Sequence, residues 1–347
     1  MEFQSYDVVI IGAGPAGLAT ALSLKGKSVF VAEKNVFPRY KCCAGYVTEK
    51  TKKVYAEFGL NLGDCYYSLI KDFNILYKNK RRLTVRNKFL YTNRFIDRVE
   101  LDDAFFRLAK SKGIEIAENS KIVGHESDKN LVTLSDGKTV GYKTLVFADG
   151  TSGFGARYQK SRKKNIALQM TFPDDRAERI DIHFGITRHG YGWASSMTGV
   201  TNVGLTDVYN PKLNYREIFS SFLSKLNITA DLSRLRAAFT PIGVGKGVVN
   251  KNVFFVGDAV GACDPMTLSG LRYGLKSGER CAEAISTGRT AVYKKYLRSL
   301  KVRFAFMRFI QKAFYFAPVT AAFFNAFCRL FGRTVAFMFN RFFVNKK

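Results

Sequence analysis

Three glycines in Gly12-Ala-Gly14-Pro15-Ala16-Gly17 follow the apolar run Val8–Ile11 and open a helical stretch, Leu18–Leu24. Glycines at this spacing permit a tight turn. They also let backbone N–H groups approach a pyrophosphate at the positive end of the helix. Glu33 comes 21 residues after Gly12, at the end of the next strand pattern, Ser28–Ala32, with Lys34 behind it. A carboxylate there can accept both hydroxyls of a ribose, so the spacing reads as a dinucleotide site. A second strand ending, Val253-Phe-Phe-Val-Gly257-Asp258, lies about 240 residues further on. An aspartate in that setting can meet the ribityl or pyrophosphate part of a flavin, which points to FAD rather than NAD. Phe147-Ala-Asp149-Gly150 is a third strand-to-loop element and, by itself, equally a β-turn.

Other chemistries find less support. His125, His183 and His189 have no metal-ligand spacing, and they suggest no Ser–His–Asp arrangement. Six cysteines, Cys42, Cys43, Cys65, Cys263, Cys281 and Cys328, show no paired framework and no CxxC. They read as free thiols in a reducing compartment, without structural zinc. No second GxGxxG appears, so no separate nicotinamide domain is expected. Electrons are expected from transiently docked NAD(P)H or from a reduced protein such as a ferredoxin.

The elements that must hold these residues begin as strand, glycine turn, helix and strand. Residues 36–62 read as loop plus helix, and 70–92 alternate like strands. Arg98–Lys112 reads as a helix with Leu101, Phe105 and Leu108 on one face. Leu131–Leu134 and Thr139–Ala148 flank a Ser135-Asp-Gly-Lys138 hairpin signal. Ile166–Phe172, Arg179–Phe184, Gly192–Met197 and Thr201–Val208 look like an antiparallel sheet, and Tyr215–Leu226 like a helix. Strand Val253–Val256 and a helix over 269–285 follow. An α/β pattern thus starts, is interrupted by a sheet, and resumes. The expected units are a cofactor domain built from 1–65, 98–160 and 241–290, and a substrate domain from 66–97 and 161–240. A tail, 291–347, follows.

The chain has 347 residues and 55 Lys+Arg against 28 Asp+Glu, a net charge of +27, with 31 Phe and one Trp. This composition excludes a disordered or fibrous chain, and its charge suggests an anionic partner. The charge is uneven. From Ala284 to Lys347 there are thirteen Lys/Arg and no Asp or Glu, and thirteen Phe lie from Phe304 onward. The cations alternate with bulky apolar residues, which argues against nucleic acid. The uncharged run Ala313–Cys328 is 16 residues long, below the ~20 that span a bilayer. Two readings stand for the tail. One is amphipathic helices on the inner face of an anionic membrane; the other is a helical cap packed on the core. The N-terminus does not read as a signal peptide, since Glu2, Gln4, Ser5 and Asp7 interrupt it. A cytoplasmic, peripherally membrane-associated monomer is expected.

The three strand-to-loop elements, in this order, resemble the glutathione-reductase-type FAD fold in its para-hydroxybenzoate-hydroxylase branch. Further segments are similar to the geranylgeranyl reductase family. Phe37-Pro38-Arg39-Tyr40-Lys41-Cys42-Cys43-Ala44-Gly45 resembles its K-P-C-G-G segment. Tyr191-Gly-Trp193 resembles the start of its Y-x-W-x-F-P motif. Gly257-Asp-Ala-Val-Gly261, Pro265 and Gly270-Leu271 resemble its late flavin motif. The departures are Cys42 for proline, Ala44 for glycine, Ser195-Ser196 for Phe-Pro, Leu268 for a glycine and Gly153 for serine.

The resemblance implies an α/β FAD-binding fold with an inserted antiparallel-sheet substrate domain and a C-terminal helical segment. It implies reduction of isoprenoid C=C bonds on a prenyl or lipid substrate. Cys43, Ala44 and Gly45 would sit by the flavin ring, with the Cys43 thiol as proton donor, although cysteine is also a common packing residue. Arg98, at the start of its helix, would contact the cofactor. Tyr191, Trp193 and Pro265 would line the substrate pocket, with Trp193 equally readable as core. Arg39 and Lys41 would either cap a phosphate-bearing substrate or face solvent. Within the same fold, a monooxygenase acting on an apolar substrate is the alternative. A non-catalytic flavin or lipid carrier is the alternative of another class.

Overall fold

The computed structural model describes residues 3–65, 68–69, 72–77, 81–85, 94–159, 163–173, 179–197, 199–250 and 252–316. Strand Gln4–Ile11 ends in four consecutive buried apolar residues, Val8–Ile11. That run fits a strand covered on both faces, as in a parallel sheet. It pairs in parallel with Val29–Ala32 on one side and Thr139–Phe147 on the other. Glu115–Ala117 extends the sheet beyond the first neighbour, and Val253–Phe255 beyond the second. An antiparallel edge strand, Val248–Val249, and the hairpin strands Ile122–Glu126 and Leu131–Leu134 bring it to eight strands. The five parallel strands end on one edge. Gly12, Glu33, Asp149 and Asp258 therefore all lie beyond strand carboxyl ends, where open α/β sheets bind ligands.

Six helices are described: α1 (Pro15–Ser23), α2 (Glu49–Glu57), α3 (Arg98–Ser111), α4 (Tyr215–Lys225), α5 (Leu271–Thr287) and α6 (Thr290–Phe316). α1 lies against α5 because glycine lets the backbones close. A Cβ on Gly278 would stand 2.4 Å from the Ala16 carbonyl oxygen. This packing brings the turn of the first motif to the start of the last.

The second sheet has seven strands, in the order Arg236–Pro241, Lys164–Pro173, Val200–Val208, Tyr191–Met197, Arg179–Phe184, Asp72–Tyr77 and Arg81–Val85. α4 covers it with Phe219, Phe222 and Leu223. The fold class is α/β, as expected, and both large sheets are mixed; two details differ from the sequence reading. Asp72–Tyr77 joins Arg179–Phe184 in parallel, so the sheet is not wholly antiparallel. The two strands come from distant segments, so no tight turn forces opposite directions. Arg94–Phe95 does not join this sheet. It pairs with Tyr46–Val47 and Ser68–Leu69 in a three-stranded sheet, and Phe95 is fully buried there.

The tail begins as a single long helix. α6 buries Tyr293, Leu297, Leu300, Phe304 and Met307 at helical spacing. The Tyr293 hydroxyl donates to the Phe255 carbonyl oxygen at 2.5 Å. Gly247 leaves room for Leu297, whose Cδ1 would be 2.1 Å from a Cβ there. The first half of the tail is thus a packed element of the cofactor domain, and residues 317–347 lie outside the described residues.

Candidate functional site

The three glycines of the first turn have different jobs. Gly12 has φ +105°, and a Cβ on it would lie 2.7 Å from the Ala148 carbonyl oxygen. A Cβ on Gly17 would lie 2.0 Å from the Gly12 carbonyl oxygen. Both positions exclude larger residues. Gly14 faces open space, and only the Arg39 guanidinium comes within reach of a Cβ there, at 3.6 Å. α1 begins just beyond it with no side-chain cap and no acidic residue in its first turn. Its leading N–H groups are left for a ligand.

Glu33 is 4% exposed at the end of strand Val29–Ala32. Its Oε2 accepts the Ala13 N–H at 2.8 Å, and its Oε1 accepts the Asn35 N–H at 3.0 Å. The carboxylate is thereby aimed across the mouth of the turn. Lys34, next to it, is exposed.

Arg39 joins this group, which neither of its sequence readings foresaw. Its Nη1 lies 3.4 Å from Asp102 Oδ2 and its Nε lies 3.9 Å from Glu33 Oε1. It stacks on the Phe37 ring at 4.7 Å, and Phe37 stacks on Phe106 of α3 at 4.2 Å. Arg39 Nε is buried and has no hydrogen-bond partner. Arg98, at the start of α3, is buried and paired with Asp102 through Nη2 at 2.7 Å and Nε at 3.2 Å. Burial is the largest single influence and lowers its pKa, but Asp102, Cys43 and Tyr55 together raise it above the usual guanidinium value. Asp102 thus stands between two arginines.

The segment Cys42–Gly45 turns at Gly45, whose φ is +76° and whose absent side chain leaves room for the Ile96 carbonyl oxygen. The Gly45 N–H donates to Cys43 Sγ at 3.4 Å. Burial, with Cys43 adding to it, pushes the neighbouring Cys42 thiol up to about 12. Tyr40 ties the segment to the second sheet, where its hydroxyl accepts from Gln169 Nε2 at 2.7 Å.

A second turn closes on the same region. Asp264 Oδ1 accepts the N–H groups of Met266 at 2.9 Å and Thr267 at 3.0 Å. Pro265 is buried within this turn. Leu268 takes φ +55°, a left-handed conformation that suits the glycine of the resembled family. Gly270 precedes α5 without a side-chain cap. A Cβ on it would lie 3.4 Å from Asp258 Oδ1 and 3.7 Å from Cys263 Sγ. Leu271 is the first residue of α5. The Tyr191 hydroxyl donates to the Thr267 carbonyl oxygen at 3.0 Å. Burial raises the Tyr191 pKa, and Cys263, Asp264 and Cys43 add to the rise.

Asp149 follows strand Thr139–Phe147. Its Oδ2 accepts the Gly155 N–H at 2.8 Å, while its buried Oδ1 has no hydrogen-bond partner. Burial pushes its pKa up to about 6. Gly153 explains one departure. A Cβ there would lie 2.2 Å from Asp149 Cγ and 2.5 Å from the Asp149 carbonyl oxygen.

The structure gathers the motifs at one sheet edge and brings Cys263, Asp264 and Cys43 near enough to Tyr191 to raise its pKa. Trp193 sits inside the second sheet, 5% exposed. Its Nε1–H donates to Asn202 Oδ1 at 2.8 Å, and its ring lies over Gly204. Sequence reasoning missed Asp102 and Asp264. Asp102 follows Arg98 by four, the spacing of a helical ion pair. Asp264 has the Asx-turn chemistry that precedes a tight loop.

Residues 6–179 match the sequence profile of the pyridine nucleotide-disulphide oxidoreductase family. A menaquinone reductase of Mycobacterium tuberculosis is 26% identical over 82% of this chain and 77% of its own length. A digeranylgeranylglycerophospholipid reductase of Methanococcus vannielii is 27% identical over 82% of this chain and 78% of its own. Among solved structures, a geranylgeranyl bacteriochlorophyll reductase-like protein of Thermoplasma acidophilum superposes with a TM-score of 0.74 at 21% identity. It covers 87% of this chain and 84% of its own. A flavin-dependent brominase superposes with a TM-score of 0.73 at 20% identity, over 94% of this chain and 90% of its own. Those two likenesses speak for the fold alone. FAD is the cofactor these comparisons imply. The open face of Gly14, the uncapped N-terminus of α1, the Glu33 carboxylate beside the turn and an Arg39 Nε without a hydrogen bond fit it.

Proposed function

The chain belongs to the pyridine nucleotide-disulphide oxidoreductase family, and from that membership we propose an FAD-dependent reductase of the geranylgeranyl reductase type. Its substrate is an isoprenoid chain carried on a lipid, and its reaction adds two hydrogens across a C=C bond. The observation that carries this reading is the convergence of Cys43, Tyr191 and the Asp264–Gly270 turn beside Asp258. The Cys43 segment thereby lies in the region where the cofactor motifs meet.

Gly12, Gly14, Gly17, Glu33, Arg39 and Asp258 would hold FAD. Bound there and reduced, the flavin supplies a hydride. An unactivated alkene accepts hydride poorly, so a proton must reach the other carbon first or together with it. The Cys43 thiol holds that proton. The Gly45 N–H donates to that sulfur at 3.4 Å, and water returns the proton after each turnover. Tyr191 keeps its own proton and fixes the Thr267 carbonyl. Electrons arrive from NAD(P)H or a reduced carrier protein, which docks from outside.

The test is anaerobic. Purified protein is reduced with dithionite and mixed with geranylgeranyl lipids. Return of the oxidised-flavin absorbance with a product heavier by two hydrogens per turnover supports the reading. Flavin that stays reduced until air enters overturns it for those lipids. That outcome favours oxygen chemistry, which the brominase-like fold keeps as the second reading.

A further inference from the structure

α6 has two apolar faces, and only one of them is used. At 100° per residue, the buried side chains Tyr293, Leu297, Leu300, Phe304 and Met307 share one side of the helix. Val302, Phe306 and Phe309 fall on the opposite side, spaced i, i+4, i+7, and are 68%, 55% and 69% exposed. Packing on the cofactor domain does not call for them. Lys294, Arg298, Lys301 and Lys312 run along one flank of that stripe, all exposed. No acidic residue occurs from Ala284 to Lys347. A basic flank beside an apolar outward stripe matches an anionic bilayer, where the cations meet headgroups and the apolar side chains enter the acyl boundary.

The far end of the helix reaches the candidate site. Gln311 Nε2 donates to the His189 carbonyl oxygen at 3.3 Å. The Tyr315 ring lies 6.4 Å from Phe184, Phe184 lies 6.0 Å from Tyr191, and Tyr191 holds the Thr267 turn.

We propose that the outer face of α6 docks the protein on an anionic lipid bilayer, with the Tyr315–Phe184–Tyr191 aromatic line leading a membrane lipid toward the site. The lipid-access half rests on the reductase reading, whereas the docking half does not.

The experiment uses the full-length flavoprotein and sedimentation with two kinds of vesicle, phosphatidylcholine alone and phosphatidylcholine with phosphatidylglycerol. The wild type is expected to bind the anionic vesicles, to bind neutral ones at least tenfold less, and to release in high salt. Each basic residue at such a surface contributes about fivefold. Arg298→Glu/Lys301→Glu is therefore expected to weaken partitioning at least tenfold. Val302→Ser/Phe306→Ser/Phe309→Ser is expected to do the same. Both variants change only outward side chains, and an unaltered flavin spectrum and thermal midpoint verify the fold. If the apolar triple variant misfolds, the charge variant decides alone. Equal binding to both vesicle types overturns the proposal. So does variant binding within twofold of wild type, which would place the contact outside α6. A wild-type dimer that dissociates in the apolar variant also overturns it, because the stripe would then be a self-association face. With docking established, both variants are expected to keep wild-type turnover on detergent-dispersed prenyl lipid and to lose at least tenfold on vesicle-embedded lipid. Docking without reduction of any lipid sinks the reductase reading and leaves the docking face standing.

Discussion

Tyr191 donates its hydroxyl hydrogen to the Thr267 carbonyl oxygen at 3.0 Å, across 76 residues of sequence. One hydrogen bond thus joins the seven-stranded sheet to the turn that precedes α5. Tyr191→Phe keeps the ring and removes the bond. The expected loss of stability is about 1 kcal/mol in urea unfolding. Lipid turnover is expected to fall roughly 10- to 100-fold, because the turn then moves relative to the site. FAD content should not change, and flavin loss in this variant would show that the bond serves cofactor binding instead.

In the proposed reaction Cys43 donates the proton. Cys43→Ala is expected to retain FAD and to reoxidise with lipid at least ~100-fold more slowly, the usual scale of general acid catalysis. Stopped-flow absorbance under nitrogen reads this directly. A rate within threefold of wild type would transfer the role to water or another group.

Asp102 balances Arg98 at 2.7 Å and Arg39 at 3.4 Å, and its side chain is 1% exposed. Removing one partner of a buried pair leaves an uncompensated charge and costs about 3–5 kcal/mol. Asp102→Leu should show that loss in denaturant unfolding. Arg98→Met added to it should recover most of the loss, because two apolar side chains then replace the pair. Failure to recover would mean that Arg39 is the partner that matters.

Asp149 is pushed up to about 6 by burial, against 3.8 for the free carboxyl. The folded state therefore holds the proton more tightly than the unfolded state. The stability from this group is complete below pH 3.8 and is lost as pH rises through 6. The span corresponds to about 3 kcal/mol. Asp149→Asn preserves an acceptor for the Gly155 N–H and has no charge to bury. It should be more stable than wild type at pH 7, with the gap closing by pH 4. A gap that does not depend on pH would show that Asp149 ionises freely.

The glycine turn and the strand-end carboxylate were legible in the sequence because their demands are local. Gly12 and Gly17 are needed where a Cβ would strike backbone within a few residues or on the adjacent strand. Glu33 is read from its distance along a strand–turn–helix–strand unit. Cys43, Gly45 and Tyr191 were found through short motifs, and Leu268 in a left-handed conformation supports that alignment. The hairpin around Ser135–Lys138 and the boundaries of α3 and α4 follow from turn and capping chemistry, which acts over three or four residues.

What the tertiary structure alone decided lies in contacts between distant segments. Arg39 could not be placed until Phe37 and Phe106 stacked and Asp102 faced it. Arg98 was expected at the cofactor, and the structure adds that it is buried and paired with Asp102. The single tryptophan was open to two readings until Gly204 and Asn202 enclosed it. The basic, phenylalanine-rich tail has apolar residues all round, so periodicity alone could not say which face is buried. Only the docking of Tyr293 and Leu297 on Phe255 and Gly247 separates an inner face from an outer one. A residue's own conformational limits are written beside it in the chain, whereas its partners are fixed by a packed core that no local pattern encodes.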